Sequence, residues 1–111
     1  MKNETQKTIL LICTAGITTG LLVKNMQQAA DEQNMNVHVY SAPAIIAEQI
    51  IQNQQVDALL IGPQSQYEVA RLQDFLNYQA VPFKLISKSD YETLDGEAVL
   101  QESLALLSTK I

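Results

Sequence analysis

The sequence has little of several residue types that would mark particular classes of protein. Its 111 residues include one cysteine, one histidine, no tryptophan and few other aromatic residues. A single cysteine cannot form a disulfide within the chain, so the sequence fits a reducing compartment, and its thiol is either packed or used chemically. The length and apolar content are sufficient for one globular domain with its own core.

Positive charge is also scarce, and long apolar runs are absent. Seven Lys and Arg against twelve Asp and Glu give a formal net charge of -5, which argues against nucleic-acid binding because no basic stripe can neutralise a phosphate backbone. No apolar run is long enough for a signal peptide or membrane span, so we expect a cytoplasmic protein without direct membrane insertion. Residues 1–7 are polar and predict a flexible N-terminal tail, which leaves residues 8–111 as the domain.

Four short segments predict β-strands. Residues 8–12 and 57–61 are continuous apolar runs, typical of parallel strands that are covered on both faces. Residues 36–40 alternate between apolar and polar, and residues 82–86 begin with proline and include a lysine, which suits the edges of a sheet. Four apolar stripes with helical spacing accompany them: Leu22, Met26 and Ala29; Ile46 and Ile50; Val69, Leu72 and Leu76; Leu100, Leu104 and Leu107.

This alternation predicts an α/β fold, a single-domain open four-stranded parallel sheet of order 2-1-3-4 with helices on both faces. Such a fold is flavodoxin-like and similar to low-molecular-weight tyrosine phosphatases. We expect the first helix to cover one face and the later helices mainly the other. The ligand crevice of such a sheet lies beyond the carboxyl ends of strands one and three, where the loops beginning at Cys13 and Gly62 meet.

The loop after strand one has the composition of a phosphate cradle. Small residues can turn backbone N–H groups toward an anion, hydroxyl groups add donors, and the dipole of the following helix adds partial positive charge. Cys13 begins this loop, where the same groups favour the thiolate, and in-line attack on a phosphoryl donor would leave a phosphocysteine. The predicted phosphate-binding residues are Thr14, Ala15, Gly16, Ile17, Thr18 and Thr19.

The same loop leaves other functions open. Low-molecular-weight tyrosine phosphatases carry a C-x5-R loop, but Thr19 occupies the arginine position here. Without that guanidinium, rapid hydrolysis loses its electrophile, and holding a phosphoryl group is favoured over releasing it to water. The remaining alternatives are a cysteine phosphatase of this kind, a flavodoxin-like mononucleotide binder, and a structural role with Cys13 as a small buried hydrophobe.

Three segments together resemble one known family, the lactose/cellobiose (chitobiose) class of enzyme IIB in the bacterial phosphoenolpyruvate-dependent sugar phosphotransferase system. Residues 12–19, ICTAGITT, are similar to that family's loop of a hydrophobic residue followed by Cys-Ser-Ala-Gly-Met-Ser-Thr. Residues 60–64, LIGPQ, with Tyr67, and the pair Asp95-Gly96 before the last helix also match. The combination is far more specific than either loop alone.

The resemblance implies a phosphotransferase that uses no metal and no organic cofactor. Cys13 would accept phosphate from a histidine of the IIA component and pass it to a sugar, such as cellobiose, chitobiose or lactose, bound by the membrane-embedded IIC component. Gln64 and Tyr67 follow strand three and are candidates for contacts with the phosphoryl loop or a partner, although Gly62-Pro63 equally predicts an ordinary turn. A carrier that meets two partners in turn can work as a monomer.

Overall fold

Strands and helices alternate along the chain. The computed structural model describes residues 6–13 and 17–108. Its elements are β1 (Lys7–Cys13), α1 (Ile17–Glu32), β2 (Val37–Pro43), α2 (Ala47–Asn53), β3 (Ala58–Ile61), α3 (Glu68–Tyr78), β4 (Phe83–Leu85), α4 (Lys88–Glu92) and α5 (Gly96–Ser108). Short 3-10 turns follow β2 and β3 at Ala44–Ile46 and Pro63–Ser65.

The four strands form one parallel sheet in the order β2-β1-β3-β4, which confirms the predicted topology. Leu10 of the central strand β1 lies between Tyr40 of β2 and Leu59 of β3. Residues 9–12 and 58–61 have no solvent-exposed surface, because helices cover both faces of the two central strands. The apolar runs in the sequence therefore predicted the correct strands as central.

Alternate side chains of the sheet enter two separate cores. One core combines odd-numbered β1 residues with α1 and α5, and the other combines even-numbered β1 residues with α2 and α3. The first includes Ile9, Leu11, Leu60, Leu22, Met26, Val99 and Leu100, and the second includes Leu10, Ile12, Leu59, Ala47, Ile51, Leu72 and Leu76.

The positions of α4 and α5 correct the sequence prediction. Helices α2 and α3 lie opposite α1, as predicted, but α4 and α5 lie on the same face as α1. The reason is that α1 packs beside β1 and β2 and leaves β3 uncovered on that face. After β4 the chain crosses to this open region, and α5 packs against both α1 and β3.

The apolar phase of α2 also differs from the prediction, which placed Ile46 and Ile50 on the buried stripe. The 3-10 turn Ala44–Ile46 precedes the helix and shifts the register, because a 3-10 turn has three residues per turn rather than 3.6. Ala47 and Ile51 are therefore buried, whereas Ile46 is exposed and Ile50 is only partly buried.

Asn25 and Gln27 of α1 hydrogen-bond to the backbone of neighbouring segments. The Asn25 side-chain amide donates to the Leu94 carbonyl at 2.9 Å, and Gly96 approaches the Asn25 backbone so closely that a Cβ atom would lie 2.5 Å from it. At the edge of the sheet, Gln27 donates to the Val37 carbonyl and accepts from the Val39 amide, both at 2.9 Å. Gln27 thus satisfies outward-facing backbone groups of the edge strand β2.

Candidate functional site

Cys13 is the last residue of β1, and it lies at the predicted crevice beyond the carboxyl ends of β1 and β3. Its side chain points into the core shared with α1 and α5 and is only 4% exposed. The sulfur is therefore recessed below the surface.

Two buried hydroxyl groups and the sulfur form a row of hydrogen-bonded groups. The Tyr91 hydroxyl lies 3.4 Å from Cys13 Sγ, and the Thr19 hydroxyl lies 2.9 Å from the Tyr91 hydroxyl. Tyr91 is supplied by α4 and Thr19 by the first turn of α1, and both side chains are buried. The three groups form a short polar chain inside an otherwise apolar core.

The helix α4 brings Tyr91 to this position. Ser87 precedes the helix, and its hydroxyl accepts a hydrogen bond from the Asp90 amide at 3.1 Å, which caps the first turn. Burial raises the pKa of Tyr91, as does its hydrogen bond to Cys13, while the hydrogen bond to Thr19 acts in the opposite direction. The Tyr91 hydroxyl therefore keeps its proton at neutral pH and can act as a donor.

Gly62 also lies next to the sulfur. Its amide donates to the Ile12 carbonyl at 2.9 Å, and a Cβ atom at this position would lie 3.3 Å from Cys13 Sγ. The backbone angles of Gly62, φ -64° and ψ 150°, are open to any residue. What limits a side chain here is the space beside the thiol and not the backbone conformation.

The predicted phosphate cradle is only partly described. Thr14, Ala15 and Gly16, like residues 1–5 of the predicted tail, lie outside the described residues. Ile17 and Thr18 belong to the first turn of α1, so that only three residues separate Cys13 from the amino-terminal end of this helix. Thr19 lies in the site, with its hydroxyl against Tyr91. The cradle itself stays a prediction.

Gln64 and Tyr67, the second predicted pair, are outside the Cys13–Tyr91–Thr19 chain. Both follow β3 at the same edge of the sheet, and both are exposed, with Tyr67 63% exposed. Tyr67 therefore does not pack in the core. A role for either residue in partner contacts stays a prediction.

Several large apolar side chains are exposed at this edge of the sheet. Tyr67 follows β3, Leu21 lies in the early part of α1, and Ile45 and Ile46 lie in the turn after β2. Ile45 is 80% exposed. We call Leu21, Ile45, Ile46 and Tyr67 the apolar rim.

The one arginine of the chain lies apart from the thiol. Arg71 is on α3, on the opposite face of the sheet, where its guanidinium pairs with Glu48 at 2.8 Å and with Glu68 and donates to the Ala44 carbonyl at 3.1 Å. These contacts tie α3 to α2 and to the turn before it. The chain's one guanidinium is thus held in contacts away from the thiol.

The contact between Tyr91 and the thiol is what sequence reasoning missed; the sequence offered Tyr91 only as an aromatic residue that could stack on a bound flavin. Tyr91 lies 78 positions from Cys13 in a short polar helix that was not predicted. The only sequence signal was its place shortly after β4, since residues that follow parallel strands collect at the carboxyl edge of a sheet. Across residues 6–13 and 17–108, no His, Cys, Asp or Glu cluster fit for a metal ion and no helix fit to cross a membrane was found.

Comparisons with known proteins agree with the fold. The family model "PTS system, Lactose/Cellobiose specific IIB subunit" matches residues 8–102. The galactose-specific EIIB component of Lactococcus lactis subsp. cremoris is 29% identical over 105 residues, which cover 92% of this chain and 97% of that protein. The oligo-beta-mannoside-specific EIIB component of Bacillus subtilis is 28% identical over 101 residues, covering 91% and 96%.

Two solved structures of IIB components have the same fold as this chain. The solution structure of a cellobiose-specific IIB component from Borrelia burgdorferi superposes with a TM-score of 0.81 at 28% identity and covers 97% of each chain. The lactose-specific IIB domain from Streptococcus pneumoniae has a TM-score of 0.80 at 16% identity, covers 91% of this chain and 97% of that domain, and shares the fold. The chain belongs to the lactose/cellobiose-specific IIB subunit family of the phosphotransferase system.

Proposed function

We propose that Cys13 carries a phosphoryl group between a phosphohistidine of the IIA component and a sugar bound by the IIC component. Components of the IIB family are phosphotransferases that work with IIA and IIC partners. The observation that carries the proposal is the position of the one cysteine, which ends β1 at the carboxyl edge of the sheet with the Tyr91 hydroxyl and Gly62 both next to its sulfur.

Two displacements make up the reaction. The Cys13 thiolate attacks phosphorus, the S–P bond forms, and the N–P bond breaks with its electron pair returning to the histidine. The oxygen of a sugar hydroxyl then attacks the phosphorus of the phosphocysteine, the hydroxyl proton passes to solvent, and the S–P electron pair returns to sulfur. Residues 14–19 would surround the phosphoryl oxygens between the two steps, and no arginine stands beside the thiol to promote hydrolysis.

The family and the chemistry support a proposal for the sugar and the compartment. Relatives are named for galactose, cellobiose and oligo-beta-mannosides, and we propose a beta-linked disaccharide such as cellobiose, chitobiose or lactose. The protein would work in the cytoplasm, where the thiol stays reduced.

The apolar rim is the proposed docking surface for both partners. Its exposed side chains lie at the edge of the sheet where Cys13 ends β1, so a partner that covers them also approaches the thiol. Exposed apolar groups of this kind typically mark protein interaction sites. Gln64, exposed in the turn after β3, would add a polar contact beside Tyr67.

The carrier role is tested by label transfer. Incubating the protein with IIA that carries a labelled phosphoryl group should label the wild-type chain, and Cys13→Ser should abolish the labelling because the thiolate is the nucleophile. Circular dichroism checks that the variant is folded. Wild-type labelling of Cys13→Ser would remove Cys13 from the reaction.

The docking surface is tested by a matched pair of tyrosine variants. Tyr67→Glu should lower the second-order rate of phosphoryl transfer from IIA by about tenfold or more, because it places a charge in the proposed contact. Tyr78→Glu is the control, since Tyr78 ends α3 and is 86% exposed outside the rim. Equal rates for the two variants would exclude Tyr67 from the contact.

A further inference from the structure

The buried polar chain beside the thiol has a direction that the chemistry determines. The Tyr91 hydroxyl lies between two groups, Cys13 Sγ at 3.4 Å and the Thr19 hydroxyl at 2.9 Å. Each hydroxyl has one proton to donate, whereas a thiolate can only accept. When the sulfur is ionised, Tyr91 must donate to it, and the Tyr91 oxygen is then open to a hydrogen bond from Thr19.

We propose that the Tyr91 hydroxyl is a catalytic hydrogen-bond donor to the Cys13 sulfur, and that Thr19 holds this donor in the required orientation. The inference rests on the proposed carrier function. All three side chains are at most 4% exposed, so water does not compete for these hydrogen bonds. The buried Tyr91 keeps its own proton, because burial and the nearby thiolate both raise its pKa.

This donor acts in both halves of the reaction. Before the first displacement, the thiol loses its proton to solvent and the hydrogen bond from Tyr91 stabilises the resulting anion. As the S–P bond forms, charge leaves the sulfur and the hydrogen bond weakens. As the S–P bond breaks in transfer to the sugar, charge returns to the sulfur and the same hydrogen bond strengthens, which makes the sulfur a better leaving group.

The second displacement should therefore depend on Tyr91 most strongly. Tyr91→Phe retains the buried ring and removes only the hydroxyl. We expect transfer from phosphorylated protein to sugar, in membranes containing the IIC component, to slow by about tenfold, since hydrogen bonds to charged groups are the stronger class. Tyr78→Phe makes the same chemical change at an exposed site and should have the wild-type rate.

A second measurement separates hydrogen bonding from packing. The rate of Cys13 alkylation by iodoacetamide follows the thiolate fraction, and its pH midpoint should move upward in Tyr91→Phe because the thiolate loses a donor. Thr19→Val should move the midpoint in the same direction by less, because the Tyr91 donor remains. A variant that merely loosened the core would lose thermal stability without moving this midpoint.

The outcomes distinguish this inference from the proposed function. If Cys13→Ser abolishes labelling while Tyr91→Phe keeps both the wild-type alkylation midpoint and the wild-type rate of sugar phosphorylation, Cys13 is the carrier and Tyr91 is only a core residue. If Cys13→Ser is labelled normally, the carrier function itself fails.

Discussion

The space beside the thiol is set by one glycine. A Cβ at Gly62 would lie 3.3 Å from Cys13 Sγ, a distance at which the sulfur or the β3 turn has to shift by a few tenths of an ångström. Reacting groups tolerate little displacement, because in-line transfer requires close alignment of the attacking atom and phosphorus. A methyl group at this position should therefore lower the reactivity of the sulfur more than it lowers the stability of the fold.

Gly62→Ala is expected to keep the fold and to lower the rate of labelling from phosphorylated IIA by about tenfold. The backbone angles of Gly62 suit alanine, so thermal denaturation should show a small change compared with the loss of rate. Labelling and melting temperature are measured on the same preparation.

A second glycine provides the control for the added methyl group. Gly20 lies within α1, and a Cβ there meets nothing within 4 Å. Gly20→Ala should raise the free energy of unfolding by about 0.5–1 kcal/mol, because alanine favours the helix. Wild-type labelling of Gly62→Ala would show that the gap beside the sulfur is not required.

Helices α4 and α5 and strand β4 meet at a group of charged side chains. Glu102 of α5 pairs with Lys84 of β4 at 3.5 Å and lies near Asp90 of α4. Burial raises the pKa of Glu102 above its ordinary value of 4.5, the adjacent Asp90 raises it further, and Lys84 acts in the opposite direction. The folded protein therefore binds this proton more tightly than the unfolded chain does.

This raised pKa predicts a loss of stability as pH rises. Below the ordinary pKa of 4.5, Glu102 is protonated in both the folded and the unfolded state and does not change the free energy of unfolding. Above the raised pKa, Glu102 is ionised in both states, and its partly buried charge lowers the free energy of unfolding by the full amount. Glu102→Gln removes that charge, so its melting temperature at pH 7 should exceed that of the wild type by about 2–4 °C. The difference should vanish near pH 4.

Thermal denaturation from pH 4 to pH 8 checks this expectation. Glu92→Gln is the control on the neighbouring helix, since the Glu92 side chain is 60% exposed in its contact with Lys88. A Glu102→Gln variant whose melting temperature differs from that of the wild type by the same amount at every pH would contradict the role given to Glu102.

Elements with a clear apolar pattern were predictable, and the others were not. The runs in β1 and β3 indicated central strands because only covered strands are apolar on both faces. The helix α4 has five residues, fewer than two helical turns, so that no periodicity could reveal it. The predicted buried stripe of α2 was wrong because the 3-10 turn before the helix changed which residues face the core.

At the level of the whole chain, the topology was predictable but one member of the site was not. Handedness rules and the position of the apolar runs were enough for the order β2-β1-β3-β4, and hence for the meeting of the Cys13 and Gly62 loops. The contact between Cys13 and Tyr91 depends on how α4 packs after β4, which no pattern in the sequence encodes locally.

The recessed position of the sulfur has a consequence for the order of events in sugar uptake. Helices cover both faces of the sheet, and Cys13 is only 4% exposed at the carboxyl end of β1. If the proposed donor and the acceptor transporter both approach the sulfur from the carboxyl edge of the sheet, binding of one prevents binding of the other. In each cycle the carrier would then dissociate from IIA before it binds IIC. An excess of unphosphorylated IIA should therefore inhibit transport by competing with IIC for the carrier.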